Sequence, residues 1–127
     1  MSLRSPLGRV LGMGSAHEGV QHWWLQRLTS VALVPLSIWF VVSLLMLPSL
    51  DHATVSVWMA HGPTALLLVL FVLTAAWHSR LGVAVVVEDY VHGGLKTVTL
   101  VFCTFAHLLL AAAAVLAILT VALRGAT

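Results

Sequence analysis

The sequence predicts an all-α fold, a bundle of three transmembrane helices, from two observations. First, 61% of the 127 residues are hydrophobic and only 8% are charged, a composition more apolar than soluble domains show. Second, three stretches with almost no charge, at residues 28–50, 63–87 and 97–123, each exceed the roughly 20 residues that span a bilayer. A backbone in hydrocarbon must satisfy its own hydrogen bonds, so each span is expected to be a helix.

Composition also narrows the function. The pI near 9.3 comes from six Lys and Arg spread along the chain without a basic stripe, so no nucleic-acid partner is expected. Cys103 is the only cysteine, which excludes an intrachain disulfide or a thiolate cluster. Three spans with short loops use almost the whole chain. The sequence therefore favours a subunit that holds a cofactor or a partner over a self-contained enzyme.

The chain begins with a predicted polar arm, residues 1–22, which lies on the membrane surface. It carries Arg4 and Arg9 but lacks the apolar core of a signal peptide. The first transmembrane helix is predicted over residues 23–50, and it opens with a tryptophan pair typical of the headgroup region. Pro35 is expected to kink this helix because it removes one backbone hydrogen bond.

Arg27 lies about one turn inside the first helix, followed by Thr29 and Ser30. Two interpretations are open. The side chain either snorkels to lipid phosphate or points into the bundle toward an anionic group of a cofactor.

The remaining elements follow from the same pattern. We predict a loop at 51–62, a second transmembrane helix at 63–88, a loop at 89–96, a third transmembrane helix at 97–123 and a tail at 124–127. A Gly-Pro pair at the start of the second span is typical of a helix start.

The positive-inside rule orients these spans. With three spans, the N-terminus and the second loop share one side of the membrane. That side carries four cations and the opposite side one, so the N-terminus is predicted to be cytoplasmic, or on the matrix side in a mitochondrion. The four are Arg4, Arg9, Arg27 and Lys96, and the fifth is Arg124.

The stretch from His78 to Tyr90 carries the candidate chemistry. His78 is predicted ~13 Å inside the membrane, and histidines at such depth are usually functional. Asp89 follows eleven residues later, on the same helix face and ~16 Å along the axis. His78 has three open interpretations: an axial haem ligand, an interhelical hydrogen bond or a proton relay. Gly82, four residues on, makes room either for a macrocycle or for close helix packing.

Two further residue sets bear on this stretch. His107 is predicted at nearly the depth of His78, so a second haem ligand could come from this chain or from a partner subunit. Zinc is disfavoured because no Cys, Asp or Glu accompanies His78 at that depth. Asp89 and Tyr90 lie where a quinone headgroup would lie, and they fit either a hydrogen-bonding and proton-transfer site or a plain interfacial anchor.

The combined pattern is more specific than its parts. His78, Gly82 and the pair Asp89-Tyr90 fall on the second of three membrane helices, and Arg27-Leu28-Thr29-Ser30 opens the first. Over roughly residues 20–123 the chain resembles the hydrophobic membrane anchor subunit of succinate dehydrogenase, the D-type anchor of complex II.

This resemblance implies a function. His78 would be one axial ligand of haem b, with the other histidine supplied by the sister cytochrome b subunit. Tyr90 would hydrogen-bond ubiquinone and Asp89 would support that site. Electrons would arrive from succinate through a flavoprotein subunit and an iron–sulfur subunit. The complex would lie in the bacterial inner membrane or the mitochondrial inner membrane.

The resemblance is less complete elsewhere. Arg27 would lie near the haem propionates or the quinone pocket. The family often has a histidine six residues before this arginine, where this chain has Gln21 and where His22 is displaced by one position; His22 is therefore a weaker candidate for a propionate contact. Arg80 has no family counterpart on which a role could rest, and its ~200° offset turns it away from His78. His107 lies outside the motif and is expected to be a buried hydrogen-bonding residue.

Three rival functions are compatible with the same residues. The first is the anchor of a quinol:fumarate reductase, which runs the same path in reverse. The second is a cofactor-free structural subunit with three spans. The third is a self-contained cytochrome with His78 and His107 as its two ligands.

Overall fold

The computed structural model describes residues 17–124, with side chains from residue 20 onward. Four helices form this part of the chain: α1 (His17–Leu45), α2 (His52–Ala60), α3 (Gly62–Tyr90) and α4 (Gly94–Arg124). Three of them are long and apolar enough to cross a membrane, with mean hydropathy of 2.2, 1.7 and 2.5 for α1, α3 and α4. The described residues contain no strand. The predicted all-α fold with three spanning helices is confirmed.

The connection at 51–62, predicted as a loop, instead contains the short helix α2. The Asp51 carboxylate caps this helix by accepting the backbone N–H of Thr54 at 2.9 Å, which satisfies one of the open donors of the first turn. At the other end of α2, the Trp58 ring stacks on Trp39 of α1, with centroids 6.2 Å apart. A local cap and a distant aromatic contact thus make a helix of a segment too short to span the membrane.

The bounds of the long helices also differ from the sequence prediction. α1 begins at His17, so residues 17–22 of the predicted polar arm are helical, while the rest of that arm lies outside the described residues. α1 is assigned as one helix through Pro35. α3 continues to Tyr90, so the first two residues of the predicted loop 89–96 form the last turn of a helix.

A tight connection joins α3 to α4. The Val91 N–H donates to the Val87 carbonyl at 2.9 Å and closes α3. Gly93 then has a φ of 67°, a left-handed conformation that glycine adopts without a steric penalty. α4 begins at the next residue, Gly94, so the end of α3 and the start of α4 lie at the same face of the membrane.

The helices are arranged around α3, which packs against α1 on one flank and α4 on the other. Within residues 17–124 no Cα of α1 comes within 8 Å of α4. A small buried core of Ala65, Leu68 and Ile118 joins α3 to α4 near α2. The three spans therefore form an open arrangement rather than a closed bundle, and a face of α3 remains accessible between its neighbours.

Most large apolar side chains of the spans point outward, among them Leu28, Val31, Phe102 and Leu109, each at least 65% exposed. In water such a surface would drive aggregation. In hydrocarbon it has no such cost, because lipid tails are as apolar as the side chains. The exposed surface therefore suits contact with lipid or with another membrane subunit.

The Asp51 cap yields a first prediction. Hydrogen bonds from the Ser49 hydroxyl and from the Thr54 backbone and hydroxyl lower the pKa of Asp51 to about 2. Because this pKa is depressed from 3.8, the cap stabilises α2 fully above that value and loses its effect as the pH falls through about 2. Asp51→Ala should speed amide hydrogen exchange across residues 52–60 at neutral pH. Asp51→Asn is the matched control, because it retains an acceptor; unchanged exchange in Asp51→Ala would contradict the assigned cap.

Candidate functional site

His78 lies in α3 with its half-buried ring turned toward α1. Its Nδ1 is 3.0 Å from the Thr29 hydroxyl oxygen, and its Nε2 is 3.4 Å from the Gln26 side-chain nitrogen. Of the three interpretations of His78, the interhelical hydrogen bond is thus present within the chain. The haem-ligand and proton-relay interpretations remain predictions.

The partners of His78 belong to one face of α1. His22, Gln26 and Thr29 are spaced at i, i+4 and i+7, which places them in one row along a helix. Gln26 and Thr29 contact His78 directly, so this row faces α3. The sequence pattern identified His78 but not these two partners, although the polar row at helical spacing within an apolar helix was a usable signal.

The Thr29 hydroxyl lies within hydrogen-bond distance of the His78 ring and of two backbone carbonyls of α1. Its oxygen is 2.8 Å from the Leu25 carbonyl and 3.0 Å from the Gln26 carbonyl. Carbonyls only accept, so a hydroxyl that donates its single proton to one of them is left as an acceptor for His78. In that arrangement the ring proton is on Nδ1 and the lone pair is on Nε2, whereas a hydroxyl that donates to Nδ1 requires the other tautomer.

The space beside Nε2 is filled by the Gln26 amide. A Cβ placed on Gly82 would lie 3.7 Å from the Gln26 nitrogen, so the predicted room above Gly82 holds this side chain. The Gln26 oxygen Oε1 is buried without a hydrogen-bond partner in the described part of the chain. A buried unpaired oxygen costs free energy, and Gln26 lies beside Nε2 of His78 at a distance that is long for a hydrogen bond.

His107 makes a separate pair on the opposite flank of α3. Its Nδ1 donates to the Cys103 carbonyl at 2.7 Å, so its Nε2 accepts from the Ser79 hydroxyl at 3.2 Å. His78 and Ser79 are consecutive residues, about 100° apart around α3, and one faces α1 while the other faces α4. This geometry agrees with the predicted hydrogen-bonding role of His107 and does not pair it with His78.

A groove of about 470 Å³ lies over α3 between α1 and α4, in the half of α3 that ends at Tyr90. Its lining includes His22, Arg80 and Glu88. Arg80 also lies over the Trp77 ring, 4.9 Å from its centroid. The structure thus brings His22 and Arg80, from different helices, to one groove, an association that the sequence did not indicate.

Arg27 lies outside this groove. Its guanidinium is 4.6 Å from the Trp23 ring centroid, and the residue is exposed. Trp23 in turn meets Trp24 edge to face at 5.2 Å. Arg27 thus stacks on an exposed tryptophan pair and does not line the groove.

Asp89 and Tyr90 form the exposed end of α3. Tyr90 is 79% exposed, and neither side chain has a hydrogen-bond or ion-pair partner among the residues that the structure describes. With Tyr90 twelve residues from His78, the two lie ~18 Å apart along the helix axis. A phenol donor, a carboxylate and a deep imidazole thus share one helix without contacting each other.

No group of three or more His, Cys, Asp or Glu side chains within residues 17–124 could hold a metal ion. A metal at His78 would therefore take further ligands from a macrocycle or from another chain.

These features define a class of protein: an all-α membrane subunit with three spanning helices. Comparison with known families gives the assignment. Residues 1–123 match the family model of the succinate dehydrogenase/fumarate reductase transmembrane subunit. The chain belongs to this family and is a membrane anchor subunit of succinate dehydrogenase, an oxidoreductase complex in which the anchor is not catalytic alone.

Individual relatives agree. The succinate dehydrogenase hydrophobic membrane anchor subunit of Paracoccus denitrificans is 30% identical over 114 residues, which cover 90% of this chain and 88% of the relative. The corresponding subunit of Rickettsia bellii is 35% identical over 89 residues, 69% of this chain and 70% of the relative. The membrane anchor subunit of Reclinomonas americana is 26% identical over 88 residues, 67% and 73% of the two chains. No solved structure matches the chain significantly.

Proposed function

We propose that this anchor contributes His78 as one axial ligand of haem b and Tyr90, with Asp89, to a site where ubiquinone is reduced. A histidine of the sister cytochrome b subunit supplies the other axial ligand. The observation that carries the proposal is the contact between the Thr29 hydroxyl and Nδ1 of His78 at 3.0 Å, because an imidazole binds iron through an unprotonated nitrogen and a hydroxyl that accepts the Nδ1 proton leaves Nε2 in that state.

The residues around Nε2 fit a haem. Gln26 is the only hydrogen-bond partner of Nε2 within the described residues, and its own oxygen is unpaired. A haem that displaces the Gln26 amide from Nε2 therefore breaks only this one long hydrogen bond. Gly82 adds no side chain at this position. When bound, the haem supplies one-electron redox chemistry. The role of this chain is to hold the imidazole, set its tautomer and surround it with apolar helix.

The quinone half of the proposal concerns the membrane surface. Reduction of a quinone to a quinol takes two electrons and two protons. The exposed Tyr90 hydroxyl can donate a hydrogen bond to a quinone carbonyl. Asp89, adjacent and open to water, can orient that donor or pass protons. Both side chains lie where a lipid-soluble headgroup meets the aqueous phase.

Two further residues, His22 and Arg27, are candidates for contact with the haem propionates. His22 belongs to the row of α1 that faces α3, one turn from Gln26, which supports a contact between His22 and a haem propionate. Arg27 is exposed on the outer side of α1. Its proposed role, beside the propionates or in the quinone pocket, therefore depends on the surface of the sister subunit.

In the assembled complex, electrons pass from succinate through the flavoprotein and iron–sulfur subunits to ubiquinone at this anchor. We place the complex in the bacterial inner membrane or the mitochondrial inner membrane, with the N-terminus on the cytoplasmic or matrix side. The named relatives are all subunits of succinate dehydrogenase, which favours this direction over fumarate reduction. The separation of His78 and His107 onto two flanks of α3 disfavours a cytochrome made of this chain alone.

Purification of the tagged chain in mild detergent tests the proposal. We expect a flavoprotein, an iron–sulfur protein and a second membrane subunit to copurify with a low-spin haem, detected by mass spectrometry and by the reduced-minus-oxidised spectrum. Copurification of the three proteins without haem would leave the cofactor-free structural subunit as the correct function. Haem bound to the isolated chain would instead support the self-contained cytochrome.

A further inference from the structure

We propose that Thr29 is a positioning residue for the haem ligand: its hydroxyl fixes the tautomer and the orientation of the His78 ring. This inference rests on the proposed function, because it assumes that His78 binds iron. It assigns a task to a side chain on α1, the helix that does not carry the ligand.

Two backbone carbonyls of α1, those of Leu25 and Gln26, can accept the proton of the Thr29 hydroxyl. The Gln26 carbonyl already accepts the Ser30 hydroxyl at 2.8 Å, whereas the Leu25 carbonyl lies closer to the Thr29 hydroxyl, at 2.8 Å against 3.0 Å. The Thr29 proton is therefore best placed on Leu25. With its proton committed, the hydroxyl presents a lone pair to His78 Nδ1 at 3.0 Å, and the reverse arrangement would leave two carbonyls facing an oxygen without a proton between them.

The position of the Thr29 hydroxyl oxygen is fixed by α1. The hydrogen bond to the backbone of α1 holds the Thr29 hydroxyl oxygen in place. The His78 ring must therefore orient its Nδ1 toward this oxygen to form the hydrogen bond. Because α1 and α3 pack together, the interhelical packing sets the direction in which Nε2 faces.

The hydrogen bond to Thr29 affects how the His78 imidazole binds iron. A hydrogen bond from the second ring nitrogen of a ligating histidine raises the basicity of the ligand and fixes its orientation, and losing such a partner typically costs about 10-fold to 100-fold in metal affinity. No water is available in the bilayer core to replace a missing acceptor. A more basic imidazole favours the ferric state, so the bond to Thr29 should lower the midpoint potential of the haem.

The test compares three variants in the whole complex. Thr29→Val removes the hydroxyl at nearly constant volume, and Thr29→Ser retains it. Ser30→Ala removes a neighbouring hydroxyl that, among the described residues, donates to the Gln26 carbonyl of α1. We expect Thr29→Val to lose haem roughly 10-fold faster, to raise the midpoint potential and to shift the electron paramagnetic resonance of the ferric haem. Thr29→Ser and Ser30→Ala should match the parent complex. The stoichiometry of the copurified subunits verifies that each complex assembles.

The outcomes separate this inference from the function on which it rests. If Thr29→Val matches the parent in haem retention, potential and spectrum, Thr29 is not a positioning residue. If Thr29→Ser changes as much as Thr29→Val, the methyl group and not the hydroxyl is responsible, and the inference is also overturned. Haem retained in His78→Ala would overturn the proposed ligand itself, whatever the Thr29 variants show.

Discussion

His78→Ala should eliminate the low-spin haem spectrum of the assembled complex. The substitution removes the only nitrogen that this chain is proposed to offer to iron. Since loss of an outer hydrogen-bond partner alone costs about 10-fold to 100-fold in metal affinity, loss of the ligand should cost more. The measurement is haem content per complex, together with the reduced-minus-oxidised spectrum. Subunit stoichiometry should show that the complex is still formed.

His107→Leu is the matched control for this experiment. His107 is also a half-buried histidine in a spanning helix, but both its ring nitrogens bond within the chain, to Cys103 and to Ser79. We expect this variant to retain its haem. Haem loss in His107→Leu with retention in His78→Ala would reverse the assignment. Loss in both would favour the self-contained cytochrome.

Tyr90→Phe should impair quinone reduction by about 10-fold to 100-fold, because a hydrogen bond to a group that gains charge is worth roughly 1.5–3 kcal/mol. The aromatic ring remains, so its contribution as an interfacial anchor is preserved. Tyr90 is 79% exposed and lies at the end of α3, so removal of its hydroxyl should not disturb the packing of this chain. The measurement is succinate-dependent reduction of a short-chain ubiquinone.

The control for Tyr90→Phe is succinate oxidation by an artificial acceptor that takes electrons before the membrane site. This rate should match that of the parent complex. An equal fall in both rates would show a defect of assembly rather than of the quinone site. Full quinone reduction in the variant would leave Tyr90 as an interfacial anchor only.

The spans could be predicted from sequence because hydropathy along a chain directly reflects the length of hydrocarbon to be crossed. α2 could not be predicted in the same way. Its nine residues are too short for that signal, and its stability depends partly on Trp58 meeting Trp39, a contact with another helix. The Asp51 and Thr54 cap was readable as a local pattern, but it does not by itself distinguish a helix from a turn.

The candidate site shows the same division. The depth of His78 and its shared face with Asp89 follow from helix geometry alone. Its contacts with Thr29 and Gln26 depend on how α1 and α3 are aligned across 49 and 52 residues of sequence, and that alignment is set by packing. The turn of Arg80 toward a groove shared with His22 likewise needs three helices in place.

The separation of α1 from α4 has a consequence for how this chain tolerates change. Two mutations with no shared partner usually have additive effects, and each outer helix meets its own flank of α3. A substitution at Thr29 should therefore leave the Ser79 contact on the opposite flank energetically unaffected. Substitutions in α1 and in α4 should therefore be tolerated independently, whereas a substitution in α3 can disturb its packing with both neighbours. Compensating pairs of substitutions should link α3 to either outer helix but rarely the outer helices to each other.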